Sequence, residues 1–154
     1  MPVAANSRRA IPRTAEGTSW LTRKTLSLAD AKKIAAAASA KATAEGWTVV
    51  IAIHDNGGNL LYLERADGTQ LGSIVVAQEK SRTALRFKRP TKVLEDSVLS
   101  GRVHMMSLPG ITSVEGGLPL LVDGEVVGSI GVSGVQSSQD GQVAAAGAAA
   151  LAAL

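Results

Sequence analysis

The sequence predicts an α+β fold with a central antiparallel sheet and covering helices. Two turn signals, Asp55-Asn56-Gly57-Gly58 and Asp123-Gly124, each sit between apolar β-prone runs and predict two hairpins. Three segments with helical apolar spacing flank those hairpins, and a sheet with one such layer on it must bury that layer. The chain has 154 residues and 45% apolar side chains, enough for one domain with its own core.

The elements follow in order. Ser27 is placed to cap a helix, with Asp30 three residues on, and the Ala-rich run to Glu45 carries Leu28, Ile34 and Ala38 at helical spacing before Gly46 stops it. Residues 47–53 are β-branched and apolar, which predicts a central strand covered on both faces. Residues 59–65 return as its hairpin partner. After Asp67-Gly68, residues 71–87 predict a second helix, ended by Pro90, with a short helix over 91–100. Gly101 to Thr112 has no clean period and reads as a long functional loop. Residues 120–122 and 126–132 flank the second hairpin turn. Gly128, Gly131 and Gly134 there suggest close backbone approach or a ligand against the sheet. From Ser138 the chain turns helical, with Asp140 as a cap and an Ala surface suited to tight packing.

Composition narrows the chemistry. With no cysteine, disulfides, thiolate metal sites and cysteine nucleophiles are excluded. Aromatic content of 3% argues against a stacking platform for single-stranded nucleic acid. No apolar run reaches the roughly 20 residues of a membrane span. The net charge is +3, but residues 1–24 hold five basic side chains against Glu16 alone, so the remainder is nearly neutral. Residues 1–24 read as a flexible extension ahead of one domain at 25–154. Arg8-Arg9 is not followed by an apolar stretch, so no export signal is expected and the expected location is cytoplasmic. One basic cluster, Lys80, Arg82, Arg86, Lys88, Arg89 and Lys92, is relieved only by Glu79. It reads as a solvated or subunit-facing surface or as a site for anionic ligand groups, with nucleic acid disfavoured.

Several motifs occur in a fixed order: Leu26-Ser27-Leu28-Ala29-Asp30-Ala31, His54-Asp55-Asn56-Gly57-Gly58-Asn59-Leu60, Arg65-Ala66-Asp67-Gly68, and a helix carrying Ala77, Lys80, Thr83, Ala84 and Phe87. Gly116-Gly117-Leu118-Pro119 follows, then the run from Asp123 to Gly134. Over residues 25–154 this series resembles the GlcG/HbpS family of haem-binding and haem-degrading proteins and the C-terminal part of PduO-type proteins. The resemblance implies a profilin-like α/β/α sandwich, a homo-oligomer that is often an octamer, and haem as cofactor. Ser129 stands where the family commonly has Ala, and Arg102 to Leu108 falls in a region that varies within it.

The candidate site is built on His104 in the irregular segment, beside Met105 and Met106. An imidazole, or a thioether such as that of Met105, can ligate haem iron. The same imidazole can act as acid or base on a small anionic metabolite, with no cofactor. Glu115 is a candidate proton partner for His104. Lys80 and Arg65 are candidates to hold a carboxylate, against the alternative of ion pairs with Glu64, Asp67 or Glu79. The backbone N–H groups of Gly116 and Gly117 are candidates for a small anion nest. His54 is expected to organise the first hairpin turn. Both functional readings need a cleft, closed by the second hairpin, into which His104 projects.

Overall fold

The structure is a computed structural model that describes residues 19–154. Most of the expected extension, including Arg8-Arg9, lies outside the described residues. The element order is α1 (Leu28–Glu45), β1 (Val50–Asp55), β2 (Leu60–Arg65), α2 (Ser73–Phe87), α3 (Thr91–Leu99), a 3-10 helix (Val103–Ser107), β3 (Gly117–Val122), β4 (Glu125–Ser133) and α4 (Ser137–Leu151).

The capping chemistry of α1 is as the sequence predicts. The Asp30 amide donates to Ser27 Oγ at 3.1 Å, and Gly46 takes a left-handed φ of 72° that lets its N–H close the last turn. The two hairpins join into one antiparallel sheet of order β2-β1-β4-β3. Alternation along the strands then divides the molecule. Ile51, Ile53, Ile130 and Val132 point to α1 and α4 and form the larger core with Ile34, Ala38 and Val143. Val50 and Ala52 point the other way and meet Ala77 on α2. The result is the three-layer α/β/α sandwich. Among the described residues no helix is long and apolar enough to cross a membrane.

Two contacts explain the small residues. A Cβ on Gly147 of α4 would meet Ala38 Cβ and the Ile34 carbonyl of α1 at 3.2 Å, so the Ala-rich helices pack nearly backbone to backbone. A Cβ on Gly131 would overlap the Ala77 carbonyl of α2. The glycine in the second hairpin therefore admits a helix, not a ligand.

The boundaries differ modestly from expectation. Helix α2 starts at Ser73, because Gln70 to Gly72 form a turn. The segment after Gly101 contains a 3-10 helix rather than irregular loop throughout. Helix α4 begins at Ser137 with a reciprocal Gln136–Gln139 capping box, and Asp140 is turned into the interior.

Candidate functional site

His104 lies on the 3-10 helix that follows α3, and its side chain is exposed. Among the described residues nothing hydrogen-bonds its imidazole; only its carbonyl is engaged, accepting from Ser107 Oγ at 2.7 Å. Apolar side chains close to it in sequence are exposed: Leu99 is 78% exposed, Val103 62% and Met106 63%. Met105 is half-buried. Among the described residues His104 is exposed, and it does not line the cleft described below.

The other sequence candidates are not brought to His104. Lys80 is sealed inside, 1% exposed, with Nζ 2.9 Å from Asp140 Oδ2 and donating to the Val132 carbonyl at 3.0 Å. Its expected role on a ligand carboxylate is overturned, and so is a pairing with Glu79, because its partner is an acid on α4. Burial pushes the Asp140 carboxyl up, and Lys80 opposes that shift. Gly116 and Gly117 are also buried. The Gly117 N–H donates to Thr91 Oγ1 at 2.9 Å, and the Lys80 ammonium lies 2.9 Å from where a Gly116 Cβ would stand. They make room for that lysine and offer no open anion nest. Arg65 is exposed at the end of β2 paired with Val50, where one of its guanidinium nitrogens donates to the Thr69 carbonyl at 3.1 Å. Glu115 lies 4.0 Å from Lys92 and against Gly141 of α4, and its N–H donates to Glu95. Among the described residues no hydrogen bond or ion pair joins it to His104.

A cleft does exist elsewhere. It has a volume of about 730 Å³ and lies between the tips of both hairpins, the C-terminal half of α2 and residues 21–24. Arg23, Lys24, Arg82, Arg86 and Lys88 line it, with Glu125 as the one carboxylate and Leu21, Leu85 and Val126 as apolar wall. The walls are pinned: Asn56 Nδ2 donates to the Lys24 carbonyl at 2.8 Å, Lys24 pairs with Asp123 at 2.6 Å, and an Arg86 guanidinium nitrogen donates to the Gly110 carbonyl at 3.2 Å. The sequence had signalled the α2 share of this cleft as a basic cluster. Arg23 and Lys24 were assigned to the extension, and only the fold brings them opposite α2.

Beside that cleft is a buried polar chain. His54 Nδ1 lies 2.8 Å from Ser81 Oγ, which lies 2.8 Å from Ser129 Oγ. His54 is fully buried, and among the described residues its Nε2 has no hydrogen-bond partner. Burial, reinforced by the Arg82 charge, pushes its pKa down to about 4, so the ring is neutral at physiological pH. The turn that His54 was expected to organise is held by Asp55, whose Oδ1 accepts from the amides of Gly57 and Asn59 at 2.9 Å. Ser129 Oγ on β4 thus ties the central sheet to α2 through Ser81.

Comparison with known proteins places this architecture. The family described as "Haem degrading protein HbpS-like" matches residues 26–149. Protein GlcG of Escherichia coli (strain K12) is 44% identical over 112 residues, covering 73% of this chain and 84% of that protein. A double mutant of Streptomyces reticuli HbpS superposes with a TM-score of 0.80 at 34% identity, covering 91% of this chain and 96% of the other. A PduOC–haem complex superposes with a TM-score of 0.74 at 29% identity, covering 82% and 94%. The helix–hairpin–helix–hairpin–helix order, its three layers and the family match over nearly the whole domain agree, and the chain belongs to the HbpS-like family of haem degrading proteins.

Proposed function

We propose that this protein binds haem or a related tetrapyrrole, with His104 as the ligand to iron and a homo-oligomer, an octamer on the family resemblance, as the working form. The observation that carries the reading is an imidazole with no hydrogen-bond partner among the described residues, on an exposed segment with Leu99, Val103 and Met106. Exposed apolar groups of this size lose about 25 cal/mol per Å² of burial that a covering surface would restore. A flat apolar macrocycle, a neighbouring protomer, or a macrocycle held between protomers meets that need. Kinship with proteins whose descriptions name haem supports the first and third.

The residues present fit the group. His104 would supply the imidazole nitrogen, Met106 and Val103 would contact the ring face, and the cation of Arg102 is near in sequence for a propionate. When bound, haem supplies redox and dioxygen chemistry of its own; the chain's part is to hold it, orient it and limit water around it. Haem breakdown would further require that an oxidant reach the bound group. The competing reading, acid–base work on an anionic metabolite by His104 and Glu115 with Lys80 or Arg65 as anchor, loses support because those side chains are not gathered around His104.

Titration of the purified protein with haemin tests the proposal. A saturable Soret shift is expected, lost in His104→Ala while that variant keeps the unfolding midpoint of the parent. A non-saturable shift, or one indifferent to the substitution, overturns it.

A further inference from the structure

We propose that the cleft between the hairpin tips and α2 is a binding site for a small, multiply charged oxyanion: paired phosphate or carboxylate groups on a compact body. The inference goes beyond haem ligation and uses none of the His104 surface.

Charge is the first support. Five cations and one carboxylate line about 730 Å³, a size typical of small-molecule sites. Glu79 on the rim pairs with Arg82 at 2.7 Å and Asp123 with Lys24 at 2.6 Å. Setting these, Glu125 and Asp55 of the first hairpin turn against the five cations still leaves one positive charge uncompensated. The C-terminal dipole of α2 contributes about half a negative charge and does not close the gap. Arg82 and Arg86 are four apart on one helix, an arrangement that repels unless an anion lies between them. Glu79 pairs with both, at 2.7 Å to Arg82 and a looser 4.0 Å to Arg86, and offsets only part of that repulsion.

Geometry is the second support. The cations stand on two opposed walls, Arg23 and Lys24 on one and Arg82, Arg86 and Lys88 on the other, so a ligand with two anionic groups engages both. Lys88 holds a left-handed φ of 51° at the end of α2, a place where glycine is the ordinary residue. Arginine forks on a pinned wall suit planar or tetrahedral oxyanions. His54 adjoins the cleft in sequence through Asn56 but is fully buried and does not line it. The apolar share of the wall, Leu21, Leu85 and Val126, accommodates a short carbon skeleton.

The same paired oxyanions could come from a free metabolite or from the two propionates of a tetrapyrrole, and the test separates them. The full chain is titrated calorimetrically with inorganic pyrophosphate and with citrate at low ionic strength. Saturable binding at one site per chain is expected, weakened about tenfold or more in Arg82→Gln/Arg86→Gln. Lys88→Gly removes a cation while relieving the backbone, so it should weaken binding without lowering the unfolding temperature. Lys33→Gln on α1 should change nothing. His104→Ala should bind pyrophosphate as the parent does, which keeps this site's fate apart from that of the haem reading. Haemin titrated against pyrophosphate-saturated protein then assigns the source: unaffected binding supports a free metabolite, and competition supports propionates in the same cleft. Absent or non-saturable binding of both probes, or binding equally strong in Arg82→Gln/Arg86→Gln and Lys88→Gly, overturns the proposal.

Discussion

His54 and Lys80 are both fully interior, and each has a consequence for stability. The native His54 ring resists protonation down to about pH 4, whereas an unfolded histidine titrates near 6.5. Above pH 6.5 both states carry a neutral ring and the native state keeps its full stability. As pH falls from 6.5 towards 4, the unfolded chain takes up a proton that the native state refuses. Stability therefore drops across that window, by roughly 3 kcal/mol from this one group, and the loss levels off below it. Urea unfolding of the parent and of His54→Gln at pH 7 and pH 4.5 checks this: the substitution should flatten most of the difference, and an unchanged slope would count against the assignment. Lys80 and Asp140 bridge α2 and α4 through the edge of the sheet. Removing one charge strands the other, so Lys80→Met should cost about 3–5 kcal/mol, and Lys80→Met/Asp140→Leu should recover much of that loss. Equal destabilisation in the single and double variants would show that packing, not charge, governs the site.

At the level of elements, α2 sits close on the sheet because Gly131 presents no side chain to it. Gly131→Ala places a methyl group against the Ala77 carbonyl, and overpacking of that kind costs about 1–3 kcal/mol or more. Chemical denaturation should register the loss, while the same change at Gly72, where a Cβ meets nothing within 4 Å, should not. Local chemistry made much of this architecture readable in the sequence. Ser27, Asp30 and Gly46 wrote the ends of α1, and Asp123-Gly124 wrote a two-residue turn with both φ values positive. Helices α2 and α3 also fell within two residues of the expected bounds. What remained hidden depends on distant partners. Lys80 looks like a surface cation within its helix, and its acid lies 60 residues away. Gly116-Gly117 reads equally well as a nest or as space for a neighbour, and only the position of α2 decides. Arg23 and Lys24 join a cleft because Leu26 donates its amide to Val127 at 3.0 Å and draws that segment along the sheet.

On the scale of the whole molecule, the chain separates two surfaces of opposite character. One is the apolar face around His104, carried by α3 and the 3-10 helix. The other is the cationic cleft at the hairpin tips. The first suits a macrocycle or a protomer contact, the second a soluble anion, and neither requires a residue of the other. Haem ligation through His104 is the claim on which the functional reading turns. Its most direct measurement is the position of iron in crystals of the haem-loaded protein, read from the anomalous signal at the iron edge. The account predicts a peak within bonding distance of the His104 imidazole, bordered by Val103 and Met106; ordered iron anywhere else on the chain would contradict it.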